Sequence, residues 1–271
     1  EENTSGAWAR VYGGKLTSDS SYQRTFEQKY TGMQVGYDRE HLLRNGKLYT
    51  GVMFNYLDSS PSYSSGSGSL YSKGLGAYGS WIGNNNHHVD LVLRASRLNN
   101  EYHLIDNSGN FASGSYDAWA YGMSAEYGYR AQLKKQFFLE PQVELSFGHI
   151  GSADHKTDSG LSVQQSSINT AQSRIGLLIG KDFGSKNQMG NAYFRGSWVH
   201  DFSSNGTLDG FYQGDRARLK TADHQGSHLE LNLGANLKVN QKLDTYLELT
   251  KTFGGKVDTD CQVNGGIRLM W

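Results

Sequence analysis

Apolar and polar residues alternate along most of this chain, in segments of about ten residues that are separated by polar breaks. In residues 88–98, for example, Leu91 and Leu93 fall on one face of a strand, whereas Asp90 and Arg94 fall on the other. About twelve such strands are predicted from this alternation. They span residues 6–16, 30–41, 47–57, 70–82, 88–98, 116–129, 137–149, 167–183, 191–202, 228–239, 243–253 and 262–271.

The breaks between these strands are of two kinds, which alternate along the chain. Short breaks rich in Asn and Gly have the composition of hairpin turns, because these residues tolerate a positive φ. They lie at 43–46, 83–86, 131–136, 184–188 and 240–242, while longer breaks lie at 58–69, 99–115, 151–166 and 203–227. Short turns on one rim and long loops on the other are typical of outer-membrane barrels, and an even strand number places both termini on the short-turn, periplasmic side.

The period of two also assigns a lipid face and a lumenal face to each strand. A charge that faces lipid near the midplane costs roughly 2–4 kcal/mol, so apolar residues are expected outside and charged ones inside. Residues 1–271 are thus predicted to form one all-β domain, a transmembrane, antiparallel, up-and-down β-barrel in the outer membrane of a Gram-negative bacterium. The predicted pore lining carries both signs of charge: Arg10, Asp38, Asp90, Arg94, Glu126, Glu140, Gln142, Glu144, Arg174, Arg195, Glu248 and Arg268.

Glycines inside the predicted strands are expected to serve curvature and packing beneath neighbouring aromatic rings. Examples are Gly36, Gly76, Gly122, Gly176 and Gly265.

Composition and charge agree with a barrel and narrow the function classes. The chain has 34 Gly, 17 Tyr and 11 Phe but 2 Pro, which is typical of β-rich proteins with many turns. A mean hydropathy of -0.62 and the lack of a run of about 18 apolar residues exclude a helical membrane span, but a barrel is apolar only at every second wall position. Lys and Arg total 26, as do Asp and Glu, so no basic excess suggests a nucleic-acid partner. Cys261 is alone, which excludes an intramolecular disulfide and a paired-Cys motif.

Four predicted lumenal acids could act chemically, because clustered carboxylates raise one another's pKa and permit general acid–base catalysis. They are Asp90, Glu126, Glu140 and Glu144. The alternative, which we favour, is that these acids pair with lumenal arginines and line a hydrated pore. Those arginines are Arg10, Arg94, Arg174, Arg195 and Arg268.

Two further groups of residues have spacings found in functional sites. His87, His88 and Asp90 could bind a metal, but structural zinc requires four suitable ligands, and we expect both histidines in a solvated turn. Residues 154–159 contain Asp, His and Ser, the components of a hydrolase triad, but a Ser-rich loop does not preorganise a nucleophile. We therefore predict no metal, no cofactor and no catalytic residues for turnover of a substrate.

Several strands resemble those of one known family, the translocator domains of monomeric autotransporters of type V secretion. Residues 6–14, GAWARVYGG, resemble the first strand of these domains, and residues 34–38, QVGYD, resemble the second. Residues 121–130 are similar to the sixth strand and residues 140–145, EPQVEL, to the seventh. The end, residues 263–271, resembles the terminal strand, which has alternating apolar residues and a final aromatic.

The resemblance implies a twelve-stranded monomeric barrel whose pore holds a segment of its own polypeptide. An N-terminal passenger then reaches the cell surface with help from the barrel-assembly machinery. The implied partners are outer-membrane lipid and lipopolysaccharide, that machinery, the passenger and the pore helix. Only five residues precede Gly6, so the passenger and most or all of the helix are expected to lie outside this chain.

In a self-cleaving branch of the family, lumenal acids surround an Asn-Asn bond in the pore helix. The resemblance places Asp90, Glu126 and Glu144 at those acidic positions, but no Asn-Asn pair precedes Gly6, which leaves self-cleavage open. An outer-membrane enzyme barrel, such as a protease or phospholipase, and a porin or adhesin barrel remain as alternative functions.

The terminal strand is predicted to be an assembly signal, because alternating apolar residues form a face beside the C-terminus. The residues concerned are Val263, Ile267, Leu269 and Trp271.

Overall fold

The computed structural model describes residues 4–18, 26–105, 109–185, 188–212, 215–221 and 225–271. Twelve long strands form the wall: β1 Ser5–Ser18, β2 Phe26–Leu43, β3 Gly46–Tyr63, β4 Gly66–Gly83, β5 His87–Ile105, β6 Phe111–Tyr129, β7 Phe137–Ile150, β8 Ile168–Ser185, β9 Gln188–Tyr212, β10 Gly226–Lys238, β11 Leu243–Phe253 and β12 Asp258–Met270. Four short strands, Ala131–Gln132, Ala153–Lys156, Ser162–Gln165 and Asp215–Thr221, and the 3-10 turn Lys134–Gln136 complete the described elements. None of the described residues forms a helix long and apolar enough to cross a membrane.

Each wall strand pairs antiparallel with the next one along the chain, and the first strand pairs with the last. The closing ladder between β1 and β12 runs from Gly6 opposite Met270 to Thr17 opposite Asp258. Ser5 and Trp271 also exchange backbone N–H to carbonyl bonds of 3.0 Å in both directions. Closure gives every wall strand two neighbours, which satisfies backbone groups that lipid cannot. The predicted all-β, up-and-down barrel of twelve strands is confirmed.

The alternation of faces along the strands is also as expected. Leu93 and Leu233 on the outside are 58% and 57% exposed, because a barrel surrounded by lipid turns its apolar side chains outward. Polar and charged side chains fill the inside, where Asp38 is 1% exposed and Glu140 is 5% exposed. The core of this protein is therefore polar, and its apolar surface faces lipid.

The strands are longer than predicted on the rim opposite the short turns, which we call the far rim. β3 and β4 continue to a turn at residues 64–65, with Tyr63 opposite Gly66, where a loop over 58–69 was predicted. β5 and β6 likewise pair as far as Ile105 and Phe111. Beyond the membrane neither face of a strand meets lipid, so the alternation that reveals strands in the sequence disappears there.

Several glycines leave room for lumenal rings of the neighbouring strand. A Cβ atom on Gly36 would lie 2.3 Å from the ring of Trp8, so the predicted packing role holds there. The prediction is wrong for the other four positions, which do not support an aromatic ring. Gly76 lies against Met53 and Gly176 against Ser197, while Gly122 and Gly265 have no atom nearer than 3.5 Å to a Cβ position. The positions that do support rings include Gly32 under Tyr12, Gly51 under Tyr78, Gly180 under Phe138 and Gly234 under Tyr193.

Candidate functional site in the barrel lumen

The lumen contains a cavity of about 990 Å³ lined by residues from both ends of the chain. All twelve predicted pore-lining residues lie on the inner face of the wall, alternating with exposed apolar residues. Five of them line this cavity directly: Arg10, Asp38, Asp90, Arg94 and Arg268. The other predicted residues face the interior in hydrogen-bonded groups around the cavity.

One group, the seam network, lies across the junction of the first and last strands and consists of Trp8, Asp38, Tyr78 and Arg268. Arg268 on β12 donates to both carboxylate oxygens of Asp38 on β2, with a distance of 2.7 Å from Nη1 to Oδ2. Tyr78 donates to Asp38 Oδ2 at 2.5 Å, and Trp8 Nε1 donates to the Tyr78 hydroxyl at 2.6 Å. Arg268 passes over Gly6, where a Cβ atom would lie 2.8 Å from Nη2. The network thus joins β12 to β1, β2 and β4.

A second group surrounds Arg195 on β9. Its Nη2 lies 3.8 Å from a carboxylate oxygen of Glu230 and 3.8 Å from one of Glu248. Its Nε donates to Asn232 Oδ1 at 3.0 Å and its Nη1 to Gln142 Oε1 at 3.3 Å. Both predicted residues, Arg195 and Glu248, are therefore paired within the wall.

A third group, the acid wall, consists of Asp90, Glu126, Glu140 and Glu144 on β5, β6 and β7. In the ladders Asp90 lies opposite Glu126, and Glu126 lies opposite Glu144. Arg174 on β8 lies opposite Glu144, and its Nη2 is 2.5 Å from an oxygen of Glu126 and 2.5 Å from one of Glu144. The structure therefore brings together the three acids that the family resemblance singled out.

His88 lies beside the acid wall and near three of its carboxylates, whereas the sequence spacing had grouped it with Asp90 alone among these acids. Its Nε2 lies 3.4 Å from Glu126, 3.8 Å from Glu140 and 4.0 Å from Asp90. The expectation of two histidines in a solvated turn is wrong, because both lie at the start of β5, where successive side chains point to opposite faces. His87 faces outward and contacts the rings of Tyr127 and Tyr129, at centroid distances of 5.7 and 4.7 Å.

The predicted pairing of acids with arginines holds for some arginines and is wrong for others. Arg174 pairs with two of the four acids, Glu126 and Glu144. The other arginines have different partners: Arg195 lies 3.8 Å from Glu230 and from Glu248, Arg268 pairs with Asp38, and Arg10 donates to Gln34 Oε1 at 2.6 Å. Within the described part of the chain, neither Arg10 nor Arg94 has a carboxylate oxygen within 4.0 Å. Both arginines lie at other positions on the barrel wall than the four acids. Which lumenal side chains meet depends on the stagger between strands and not on charge alone.

Arg130 is a lumenal cation that the sequence analysis missed. Its Nε donates to Glu140 Oε2 at 2.7 Å, and its guanidinium lies 4.1 Å from the ring centre of the fully buried Phe138. The sequence could have indicated this residue. Every second side chain of β6 faces the lumen, and the series Glu126, Gly128 continues to residue 130, one position beyond the strand.

Residues 154–159, examined as a triad, form part of a hairpin on the far rim and have separate partners. His155 is hydrogen bonded through Nε2 to the Tyr102 hydroxyl at 2.6 Å, and burial lowers the pKa of its imidazole. Asp158 Oδ1 accepts from the backbone of Ser113 at 2.9 Å, and Ser159 pairs with Thr157. Among the described residues, no chain of hydrogen bonds joins the His, Asp and Ser side chains into a nucleophilic site.

The four residues of the predicted assembly signal lie on the outer face of β12 or just beyond it. Val263, Ile267 and Leu269 are exposed toward the lipid side. The ring of Trp271 lies 6.2 Å from that of Tyr37, between ring centres.

The chain matches known proteins over its whole length. Residues 7–250 match the model of the family described as Autotransporter beta-domain. The chain is 31% identical over 265 residues to the probable autotransporter YcgV of Escherichia coli (strain K12), and 27% identical over 269 residues to the pertactin autotransporter of Bordetella parapertussis. These alignments cover 96% and 98% of this chain but 27% and 28% of the two relatives, so the chain spans about a quarter of their length.

The fold is similar to the solved β domain of the Bordetella autotransporter BrkA. The TM-score is 0.85, with 21% sequence identity, and the comparison covers 98% of this chain and 99% of that one. The family match distinguishes a translocator from the alternatives of an enzyme barrel and a porin. The chain belongs to the autotransporter β-domain family, the translocator barrels of type V secretion in the Gram-negative outer membrane.

Proposed function

We propose that the lumen holds the segment of the polypeptide that precedes Gly6, and that this segment lies between two oppositely charged parts of the wall. The distribution of unpaired charge carries this proposal. Arg10 and Arg94 line the cavity without a carboxylate within 4.0 Å among the described residues. The acid wall has four carboxylates, and the described guanidinium groups within 4.0 Å of them belong to Arg130 and Arg174. A helix with both signs of charge would complement this lining.

Charge reversal in the full-length precursor tests this proposal. Arg10→Glu together with Arg94→Glu should slow the appearance of the passenger at the cell surface, measured by added protease on intact cells. Lys15→Glu is the matched control, because Lys15 pairs with Glu27 at the far end of β1. Equal export rates for the double variant, the control and the wild type would contradict the proposed contact.

The whole chain, residues 1–271, is proposed to act as one translocator barrel that works as a monomer. Its twelve strands already close without a second copy. The alternating outer face supports contact with outer-membrane lipid, including lipopolysaccharide in the outer leaflet.

The acid wall is the proposed place of passenger release, if the precursor of this chain cleaves itself. Asp90, Glu126 and Glu144 lie side by side on three adjacent strands, so they can contact one bond of a segment in the pore. One of these groups, as a carboxylate, would accept a proton from the nucleophile as it bonds to the carbonyl carbon of the scissile peptide. Another, as a protonated carboxylic acid, would donate a proton to the nitrogen that leaves as an amine when the C–N bond breaks.

Isosteric variants of the restored precursor test this role. Glu126→Gln and Glu144→Gln remove charge but keep size, and each should abolish release while barrel folding and surface exposure remain normal. Glu230→Gln is the control, because Glu230 is a lumenal acid of the Arg195 group. Unchanged release in the two test variants, or no release in wild type, would leave these acids as pore lining only.

The outer face of β12 is proposed as the signal read by the barrel-assembly machinery. Val263, Ile267, Leu269 and Trp271 form an apolar row on the lipid side next to the seam that closes the barrel. Deletion of Trp271 or Trp271→Asp should reduce insertion in cells, whereas Trp271→Phe keeps an aromatic ring and should insert normally. The amount of folded barrel is measured by heat-modifiable migration; normal amounts in all three variants would refute the signal.

A further inference from the structure

Three carboxylates of the acid wall converge on one imidazole nitrogen. The oxygens nearest to His88 Nε2 are Glu126 Oε1 at 3.4 Å, Glu140 Oε1 at 3.8 Å and Asp90 Oδ2 at 4.0 Å. The ring of His88 lies over Gly128, where a Cβ atom would be 2.2 Å from its Cε1. The imidazole therefore has a fixed position in a half-buried pocket of the wall.

The second oxygen of each carboxylate is held by a different donor. Ser80 donates to Asp90 Oδ1. Arg174 donates to Glu126 Oε2 at 2.5 Å, and Arg130 donates to Glu140 Oε2 at 2.7 Å. Metal-binding carboxylates are oriented in this way, with one oxygen anchored by an outer partner and the other directed to the ion.

Protonation of His88 Nε2 would supply one N–H donor, which cannot pair with all three carboxylate oxygens that face it. One N–H group donates to one acceptor, and even the shortest contact, 3.4 Å to Glu126, is longer than a normal N–H···O bond. Gln142 Nε2 donates to Glu140 Oε1 at 2.8 Å. By contrast, Ser80 donates to Oδ1 of Asp90, and the inner oxygen, Oδ2, has no hydrogen-bond donor among the described residues. The wall also carries four carboxylates against two guanidinium groups within 4.0 Å.

We propose that this pocket binds one divalent cation of the zinc class, coordinated by His88 Nε2 and by carboxylate oxygens of Asp90 and Glu126. The three ligand atoms lie within 4.8 Å of one another. Ligands at about 2.0–2.2 Å from Zn²⁺ in a tetrahedron lie roughly 3.4 Å apart, so binding draws the three atoms inward by about 1 Å. Glu140 Oε1 is the nearest candidate for the fourth position, after release of Gln142.

The donor set selects the kind of ion. One imidazole nitrogen with carboxylate oxygens suits Zn²⁺ and, less tightly, Mn²⁺, whereas Cu⁺ requires sulfur ligands. The free Cys261 is exposed on β12 and does not belong to the acid wall. The bound ion would neutralise the excess negative charge and connect β5 to β6. This proposal does not depend on passenger cleavage, because it concerns the barrel alone.

Zinc binding by the purified chain in detergent micelles tests the proposal, with Cys261→Ser as the common background to exclude thiol binding. We expect one Zn²⁺ per barrel by equilibrium dialysis and a zinc absorption spectrum with nitrogen and oxygen neighbours, including one imidazole. His88→Gln and Glu126→Gln should each lower the affinity by at least roughly 100-fold, and Ser80→Ala, which removes an outer partner, by roughly 10-fold.

Two control variants separate this pocket from ordinary surface binding. His103→Gln removes a histidine that pairs with Ser113 on the far rim, and Glu230→Gln removes a lumenal acid elsewhere. Both should bind Zn²⁺ as the background protein does, and folding of every variant is checked by heat-modifiable migration. The proposal is overturned by absence of saturable zinc uptake, by equal affinity in His88→Gln and the background, or by loss of uptake in His103→Gln. The spectrum of the background protein tests the ligands even if a variant does not fold.

Discussion

Two polar groups on opposite sides of the same lumen are built in different ways. In the seam network both oxygens of Asp38 are paired, its side chain is buried, and one guanidinium balances one carboxylate. In the acid wall the carboxylates outnumber the guanidinium groups, and the inner oxygens of Asp90 and Glu126 point to a shared position. A saturated network stabilises the barrel, whereas an unsaturated one is suited to receive a ligand or a segment of chain.

The largest expected effect follows from breaking the seam network. Asp38→Ala leaves the partly buried Arg268 guanidinium without its carboxylate partner, and we expect a loss of about 3–5 kcal/mol of unfolding free energy. Urea unfolding in lipid vesicles measures this loss. Glu144→Ala is the comparison, because Arg174 keeps Glu126; a larger loss for Glu144→Ala than for Asp38→Ala would reverse the distinction between the two groups.

A smaller effect is expected from filling the space beneath the seam. Gly36→Val places side-chain atoms where the Trp8 ring lies, so we expect about 1–3 kcal/mol of destabilisation and less folded barrel in cells. Trp8→Ala in the same chain should partly restore folding, since it removes the ring. Gly265→Ala, with no neighbouring atom nearer than 3.5 Å, serves as the control and should fold as wild type does.

The acid wall should tolerate the loss of one charge. Glu144→Gln removes one of several neighbouring negative charges, which relieves repulsion, while Arg174 retains its contact with Glu126. We expect the unfolding free energy to change by less than about 1 kcal/mol, by the same urea measurement. A loss as large as that of Asp38→Ala would mean that the wall is a structural network like the seam.

The smallest expected effect concerns His155, which contrasts with His88 because it packs against the rings of Tyr102 and Tyr116, and burial outweighs the opposing effect of the Asp154 carboxylate on its pKa. Burial lowers the pKa of His155, so the folded hairpin binds a proton less readily than the unfolded chain does. Its stabilising contribution is therefore full above the ordinary histidine pKa of 6.5 and is lost as the pH falls below that value. Cleavage of residues 157–161 by added protease should rise between pH 7 and pH 5, and His155→Gln should remove most of this dependence.

The fold could be predicted from the sequence because lipid imposes one rule on every wall strand. Leu91 and Leu93 must face outward, so Asp90 and Arg94 must face inward, and the number of strands follows from repeated use of this rule. On the far rim the rule no longer applies. The paired residues up to Tyr63 and Ile105 were therefore predicted as loops.

The candidate site could be predicted only in part. The alternation of side chains along the strands and the family resemblance predicted Asp90, Glu126 and Glu144 as lumenal acids. In the structure the three strands that carry them are adjacent. Which lumenal charges meet depends on the stagger between strands, and a sequence of alternating residues does not contain that information. For this reason the contacts of His88 with the two glutamates and of Arg130 with Glu140 were not predicted. The four acids were also wrongly assigned as partners of Arg10, Arg94, Arg195 and Arg268.

The guanidinium of Arg268 crosses over Gly6 to reach Asp38, and this crossing fixes how the barrel closes. If β12 slid by two residues along β1, every apolar side chain would still face lipid, so the alternating pattern would not oppose the slip. The same slip would move Arg268 by about 6.6 Å along the strand and separate it from Asp38. The buried carboxylate of Asp38 and the partly buried guanidinium of Arg268 would then lack partners, so one ion pair distinguishes the correct closing register from its nearest wrong alternative.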